Sequence, residues 1–549
     1  MRSSNLWYKS AIIYELDLRT FSDSNGDGWG DFGGLIQKLD YIASLGCTCI
    51  WLKPFNPSPL RDGGYDVTDY YGVDARVGNP GAFVEFMEEA ASRGLAVITE
   101  LVANHTSIDH PWFVEAASDI DSELRDFYIW RDEPESAEDS PERITFAGDD
   151  TSVWQRHEAS DQYYLHRFYS HEPDLNNGDG RVQEEMCRIL AYYLRLGVSG
   201  FRIDAAPYVA EKAAGHPELD GPHDYLRRLR SFATSRRPDV VLMAEADVEP
   251  EGLDEYFGDG DEMNLLLNFL LSQYLFLALA EGSADPLHEL LDVMPRAPRD
   301  AHYANFLRNH DELDLERLSE DQRMVVMESF APDPDMRIFG RGIRRRVAPM
   351  LGGDRRRLRL AHSLLFSMPG TPIIYYGDEI GMGEDLGLEE RQPVRTPMQW
   401  SSDHNGGFSA ASASDLHLPP ISEGPFSYSR VNVADQQGQP DSMLNWMRRL
   451  INVRKQARPI FSGDWRVLET GDPAVFALGY EHEGEVLATY HNLSAHETTV
   501  KLADIGAMSH LVDLFSDDSY DSPKPDSHEL SVNARGFRWL EGRRDENQG

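Results

Sequence analysis

Acidic, basic and imidazole side chains recur at the ends of short apolar runs in this sequence. Asn104-His105, Arg202-Ile203-Asp204, Glu245 and Asn309-His310-Asp311 each close such a run, and Gly64-Tyr65-Asp66 follows another in a loop. Taken singly, each is an ordinary surface charge. If the runs are parallel strands of one barrel, three carboxylates, two histidines and an arginine meet at one mouth, where barrel enzymes do their chemistry. Two carboxyls of opposite protonation state are what cleavage of a glycosidic bond requires. One attacks the anomeric carbon while the other protonates the departing oxygen.

A second stretch, Asp23-Ser24-Asn25-Gly26-Asp27-Gly28-Trp29-Gly30-Asp31, alternates oxygen-bearing side chains with glycine. Glycine lets a backbone curl around a hard cation such as calcium. The same residues also read as a polar turn. The three cysteines, Cys47, Cys49 and Cys187, lack the spacing of a zinc or redox pair and read as small buried hydrophobes.

The elements that must position these residues follow an alternating order. Strand candidates at Ile12–Leu16, Cys49–Leu52, Leu95–Leu101, Val198–Asp204, Val240–Glu245, Leu265–Phe269, Ala304–Asn309 and Pro372–Tyr376 are mostly separated by helical patterns. Eight strands in this order predict an α/β fold, a (β/α)8 TIM barrel. Residues 105–178 are too long and polar for an ordinary loop and read as a subdomain inserted after strand 3. Residues 312–354 form a second insert, whose Arg344-Arg345-Arg346 is expected to pair with local carboxylates. Beyond residue 460 the period changes to alternating short strands, the mark of an antiparallel β domain. The expected domains are thus a barrel from 1–104 and 179–460, the insert 105–178, and a C-terminal β-sandwich at 461–549, frayed from Arg543 to Gly549. Neither an internal repeat nor a low-complexity segment is present.

Composition narrows the partners. The 549 residues carry 52 Lys plus Arg against 93 Asp plus Glu, a formal charge of −41. Such a surface repels phosphate backbones, which argues against nucleic acid and anionic membrane. Only seven of the basic residues are Lys. That balance suits a saline cytoplasm, where salt screens self-repulsion, and lineage bias toward Arg gives the same count. The start has no apolar leader and no run approaches 18 apolar residues, so a soluble, cytoplasmic protein is expected.

The motifs Gly64-Tyr65-Asp66-Val67, Asn104-His105, Gly200-Phe201-Arg202-Ile203-Asp204-Ala205, Ala244-Glu245-Ala246 and Arg308-Asn309-His310-Asp311 resemble the α-amylase superfamily of retaining glycosidases and transglycosidases. Order and spacing agree over residues 7–460. Within the superfamily the chain most resembles the trehalose synthases, which isomerise maltose to trehalose. Pro57–Asp62, His110–Phe113, Pro173–Asn176, Tyr375–Gly383 and Arg395–Trp400 carry that likeness.

The resemblance implies roles position by position. Asp204 matches the nucleophile, Glu245 the general acid/base and Asp311 the third carboxylate. Arg202 shares a strand face with Asp204 and would hold it ionised. His105 and His310 match hydrogen-bonding partners of the glucose being transferred, and Tyr65 its stacking platform. Asp66 and Arg395 match a pair that closes the far end of that subsite. The resemblance also implies a structural calcium held by Asp23, Asn25, Asp27, Asp31 and the Trp29 carbonyl, and a second at Asn104, Asp174, Tyr208 and Glu211. It implies a small α-glucoside as partner, no organic cofactor, and leaves homo-oligomerisation open. Three departures stand near the leaving-group side, a slight one being Val209-Ala210-Glu211. Arg391-Gln392-Pro393 replaces the usual Arg-Asp-Gly, and Phe339-Gly340-Arg341 replaces the usual lid sequence. They leave open the alternative of an exo-acting α-glucosidase that hydrolyses maltose, sucrose or similar sugars.

Overall fold

In the computed structural model, which describes residues 6–133, 152–213, 221–502, 508–521 and 529–544, eight short apolar runs pair as one closed barrel. They are β1 (Ile13–Leu16), β2 (Cys49–Leu52), β3 (Ala96–Leu101), β4 (Gly200–Ile203), β5 (Val241–Ala244), β6 (Leu265–Leu267), β7 (His302–Asn305) and β8 (Thr371–Tyr375). Neighbours follow chain order around the ring, β8 closing on β1, and every pairing is parallel.

Period-two alternation sorts each strand between two cores. Ile13, Cys49, Trp51, Ile98, Val241, Met243, Leu265 and Ile373 fill the barrel interior. Tyr14, Ile50, Val97, Phe201, Leu242 and Leu266 face outward into the larger core beneath the helices. The same parity continued to the strand ends puts Glu15, Glu100 and Arg202 on the interior side, where the apolar filling stops. All three are buried. Register therefore delivers these three charges to the mouth. Short helices are set by local chemistry. Asp31 caps Phe32–Leu45 at its start, Gly46 ends it at φ 105°, and Asn79 caps Pro80–Ser92 with proline in its first turn.

Within 105–178, Trp130–Arg131, Trp154–His157 and Gln162–Leu165 form a three-stranded antiparallel sheet. Within 312–354, Leu313–Asp314, Arg337–Ile338 and Gly342–Ile343 form another. Arg345 pairs with Glu384 at 2.8 Å, as expected of the triple arginine. The C-terminal part holds a five-stranded antiparallel sheet beginning at Asp464 and a two-stranded one, which share an apolar cluster including Val475, Val486, Val500 and Leu530. The frayed end predicted from Arg543 is corrected in part. Arg543 lies in the strand Phe537–Arg544 in register with Glu485, and residues 545–549 lie outside the described residues. All three cysteines are buried and unpaired. No helix among the described residues is long and apolar enough to cross a membrane.

Candidate active site

Asp204 directly follows β4 and Glu245 directly follows β5, on strands that pair through Ile203 and Ala244. One guanidinium joins them. Arg202 Nη1 bonds Asp204 and lies 3.0 Å from Glu100 Oε2, while its Nη2 lies 2.9 Å from Glu245 Oε2. The Ala205 amide donates to Glu245 Oε2 at 2.9 Å, and Ala205 takes φ 49°, a left-handed turn for a non-glycine residue. Such strain persists only where surrounding contacts enforce it. Here it tucks the chain after Asp204 against the second carboxyl.

Arg202 is expected to hold Asp204 ionised, and its pull is opposed here by burial and by other acids. Burial pushes the Asp204 carboxyl well above its usual range, Arg202 pulls it down, and Glu245, Glu100 and Asp62 push it up again. One cation is shared among three carboxylates, so their charge is only partly compensated.

Asp311 sits in the opposite electrostatic state. Burial alone would raise its carboxyl, yet His310, Arg391 and Arg395 together hold it well below the usual range. Its Oδ1 meets Arg391 Nη1 at 2.8 Å and Arg395 Nη2 at 2.9 Å, and its Oδ2 meets His310 Nε2 at 2.8 Å. His310 is held from behind by Glu15, 2.5 Å from Nδ1, and its ring lies parallel to Tyr65 with centroids 5.7 Å apart. The Tyr65 hydroxyl reaches both His310 Nε2 at 2.8 Å and Glu100 Oε1 at 3.2 Å. β7 stops at Asn305, so Asn309, His310 and Asp311 lie in the loop beyond it, not at a strand end.

The pair expected from Asp66 and Arg395 is not formed. Asp66 accepts from Ser58 Oγ at 2.5 Å and the Arg61 amide at 3.1 Å, while Arg395 donates to the His310 carbonyl at 2.8 Å. An ion pair that does line the cavity joins Asp62 and Arg391, at 2.5 Å. Both members stand four positions earlier than the residues named from sequence. Asp66 belongs instead to the turn that supports Asp62.

His105 follows β3, buried, with its imidazole lowered to about 4 by burial. It is a neutral ring near pH 7. Its Nε2 has no hydrogen-bond partner among the described residues, and Glu172 lies 3.7 Å away. A buried, unpartnered ring nitrogen in a cavity wall is a place for a ligand hydroxyl.

At the expected second calcium position a lysine stands where the ion would be. Lys212 Nζ lies 3.0 Å from the Asn104 carbonyl, 2.6 Å from Asn104 Oδ1 and 2.9 Å from Asp174 Oδ2. Glu211 turns away to Arg167 at 2.9 Å, and Tyr208 lines the active-site cavity. An ammonium occupies the oxygen nest and supplies the positive charge that ties β3 to the inserted subdomain. The loop 23–31 is different. Gly26 and Gly28 take φ 80° and 94°, curling Asp23, Asn25 and Asp27 onto amides of their own loop. Asp31 accepts from Ser24 and from the Gly34 amide. The donors are all oxygens, which suits calcium, although no three acidic or imidazole groups converge among the described residues.

Beside the carboxylates lies a cavity of about 600 Å³, within the range of about 300–1,000 Å³ common to small-molecule sites. Sequence reasoning missed Asp62, Phe168, Asp247, Glu312, Arg317, Arg341 and Arg391 among its lining residues. Asp62, Asp247, Glu312, Arg341 and Arg391 were within reach, standing inside motifs already quoted or beside them. The others lie on loops whose course no local periodicity fixes.

A cavity of acids at the mouth of a parallel barrel defines a sugar-active (β/α)8 enzyme class, and sequence comparison agrees. The family profile described as alpha amylase, catalytic domain, matches residues 16–330 and 343–463, and the chain belongs to the α-amylase family. It is 44% identical over 537 residues to a trehalose synthase of Thermus thermophilus, covering 97% of this chain and 55% of that relative. A trehalose synthase of Pimelobacter sp. is 41% identical over 510 residues, covering 90% of this chain and 88% of the relative. Among solved structures, the trehalulose synthase MutB superposes with a TM-score of 0.77 at 25% identity, covering 97% of this chain and all of the other.

Proposed function

We propose that the protein transfers an α-glucosyl unit with retention and isomerises maltose to trehalose. Asp204 attacks C1 of the non-reducing glucose, and the glycosidic oxygen leaves with a proton from Glu245. The β-linked glucosyl ester on Asp204 is then attacked by the anomeric hydroxyl of the released glucose, which gives its proton back to Glu245 as the Asp204 oxygen departs. The observation that carries this reading is the single Arg202 guanidinium spanning Asp204 and Glu245. It ties the two carboxyls to one cation, the side-by-side placement that a nucleophile and an acid acting on one glycosidic bond require.

On the glucosyl ring being transferred, Tyr65 and His310 would supply a flat face, His105 Nε2 a hydrogen-bond site, and Asp311 acceptors for ring hydroxyls. The Asp62–Arg391 pair would recognise the terminal hydroxyls and so restrict action to single glucosyl units. A small α-glucoside is the substrate class. Asp23, Asn25, Asp27 and Asp31 with the Trp29 carbonyl would hold calcium, which supplies charge neutralisation to that loop and takes no part in bond breaking. The cytoplasm is the compartment this reading assigns, where three free thiols would be kept reduced. Trapping tests it: a 5-fluoro-α-glucosyl fluoride should leave a covalent adduct that peptide mass spectrometry finds on Asp204. An adduct on another residue, or turnover with inversion, would overturn the assignment.

A further inference from the structure

The family profile passes over residues 331–342. This stretch holds most of a hairpin, Arg337–Ile338 against Gly342–Ile343. Its tip is a three-residue turn in which Phe339 and Gly340 take φ 54° and 70°. Gly340 has open space around it, so its role there is the backbone angle alone. A phenylalanine at positive φ is a costly choice, of the sort kept where a following residue must be aimed. That residue is Arg341, which lines the cavity shared by Asp204 and Glu245. The hairpin is pressed close. A Cβ on Gly342 would come within 2.8 Å of the Glu312 side chain, another lining residue.

Arg341 Nε lies 2.8 Å from Asp314 Oδ2 and 3.4 Å from Glu316 Oε2. Also in the lining, Arg317 Nε meets Asp247 Oδ1 at 3.1 Å and its Nη1 meets Glu249 Oε1 at 2.7 Å. These groups come from the loops after β5 and β7, the former being the loop that starts at Glu245. An acid must touch the glycosidic oxygen, so the departing sugar lies on the Glu245 side of the cavity. Two guanidinium forks alternating with carboxylates offer N–H donors and oxygen acceptors in turn, the pattern that vicinal hydroxyls of a neutral hexose require. With two arginines against Asp247, Glu249, Asp314 and Glu316, the wall is negative overall and would repel a phosphorylated sugar.

We propose that Arg341, aimed by the hairpin turn and working with Arg317, holds the displaced glucose after bond cleavage and thereby sets the division between transfer and hydrolysis. This rests on the glucosyl-transfer reading above. The test compares Arg341→Ala and Arg341→Lys with wild type on maltose and on p-nitrophenyl α-glucoside, whose leaving group is not a sugar. On maltose the ratio of glucose to trehalose should rise about tenfold for Arg341→Ala, as expected for one lost charged hydrogen bond, with Arg341→Lys between. The loss of kcat/KM on maltose should exceed the loss on the aryl glucoside by a similar factor. An unchanged product ratio, or equal losses on both substrates, would overturn the proposal. Should wild type release only glucose from maltose, the isomerase reading fails by itself. The leaving-sugar site is then judged by the maltose-to-aryl selectivity, which must still fall.

Discussion

The two halves of the cavity are built differently. In the half built by Asp62 after β2, Arg202 on β4 and Arg391 after β8, these side chains are at most 9% exposed, and each is fixed by ion pairs. On the leaving-group side Arg317 and Arg341 are 18% and 20% exposed, and Glu316 is 48% exposed. A rigid, dehydrated wall strengthens every polar contact and suits a ring that is held from substrate to product. A wall with solvent-facing partners suits a ring that must leave C1, turn and return. The contrast explains how one chemistry can yield either isomerisation or hydrolysis: the first half fixes the bond made to Asp204, the second decides what attacks it.

The largest effects should come from the carboxylates between the halves. Asp204→Ala should lower turnover of every α-glucoside by about 10⁴-fold or more, with circular dichroism unchanged. Glu245→Gln should lose far more on maltose than on p-nitrophenyl α-glucoside, which needs little protonation. Equal losses on both would argue against Glu245 as the acid.

Next in size is a contrast inside the rigid wall. Asp62→Asn should lower kcat/KM for maltose about a hundredfold, the scale of a misplaced substrate. Asp66→Asn should act chiefly on thermal stability, since Asp66 bonds Ser58 and Arg61 rather than facing the cavity. Steady-state kinetics beside melting curves decide between them, and the reverse result would return the clamp to Asp66.

Smaller again is the effect of the built-in cation. Lys212→Met leaves Asp174 buried without its ammonium and should cost about 3–5 kcal/mol of stability. In an Asp27→Ala background, which removes the loop 23–31 as a second calcium binder, added calcium should raise the melting temperature of Lys212→Ala and leave the Lys212 protein unmoved. Equal calcium shifts in both would mean that Lys212 does not occupy that nest.

The smallest expected effect is acid sensitivity. Burial lowers His105 to about 4, His362 to about 4 and His491 to about 3. Unfolded histidines gain a proton near 6.5, so between about pH 6.5 and 4 the unfolded chain binds more protons and stability falls as pH falls. Between about pH 6.5 and 4.5 each group contributes at most about 3 kcal/mol by this linkage. His491→Asn should flatten part of that limb in denaturant titrations run from pH 7 to 4.5, and an unchanged slope would exclude its share.

Much of the rigid half was legible in the sequence because strand register carries it. Arg202 and Asp204 could be placed on one face by parity alone, and Glu245 at the next strand end. The reading failed where a contact joins distant loops. Nothing local distinguishes Asp62 from Asp66 or Arg391 from Arg395, because the choice depends on which member of each turn points inward. Lys212 could not be placed in an oxygen nest from sequence, since Asn104 and Asp174 reach it from β3 and from the inserted subdomain. Arg341 showed only as a departure, and its meaning needed the turn that aims it.

The central claim is that glucose leaves and returns to Asp204 without water intervening. Incubating the wild-type protein with maltose in ¹⁸O-water and analysing early products by mass spectrometry tests it most directly. The account predicts trehalose as the main product, free of ¹⁸O, with a minor yield of labelled glucose. Labelled glucose alone, with no trehalose, would contradict it.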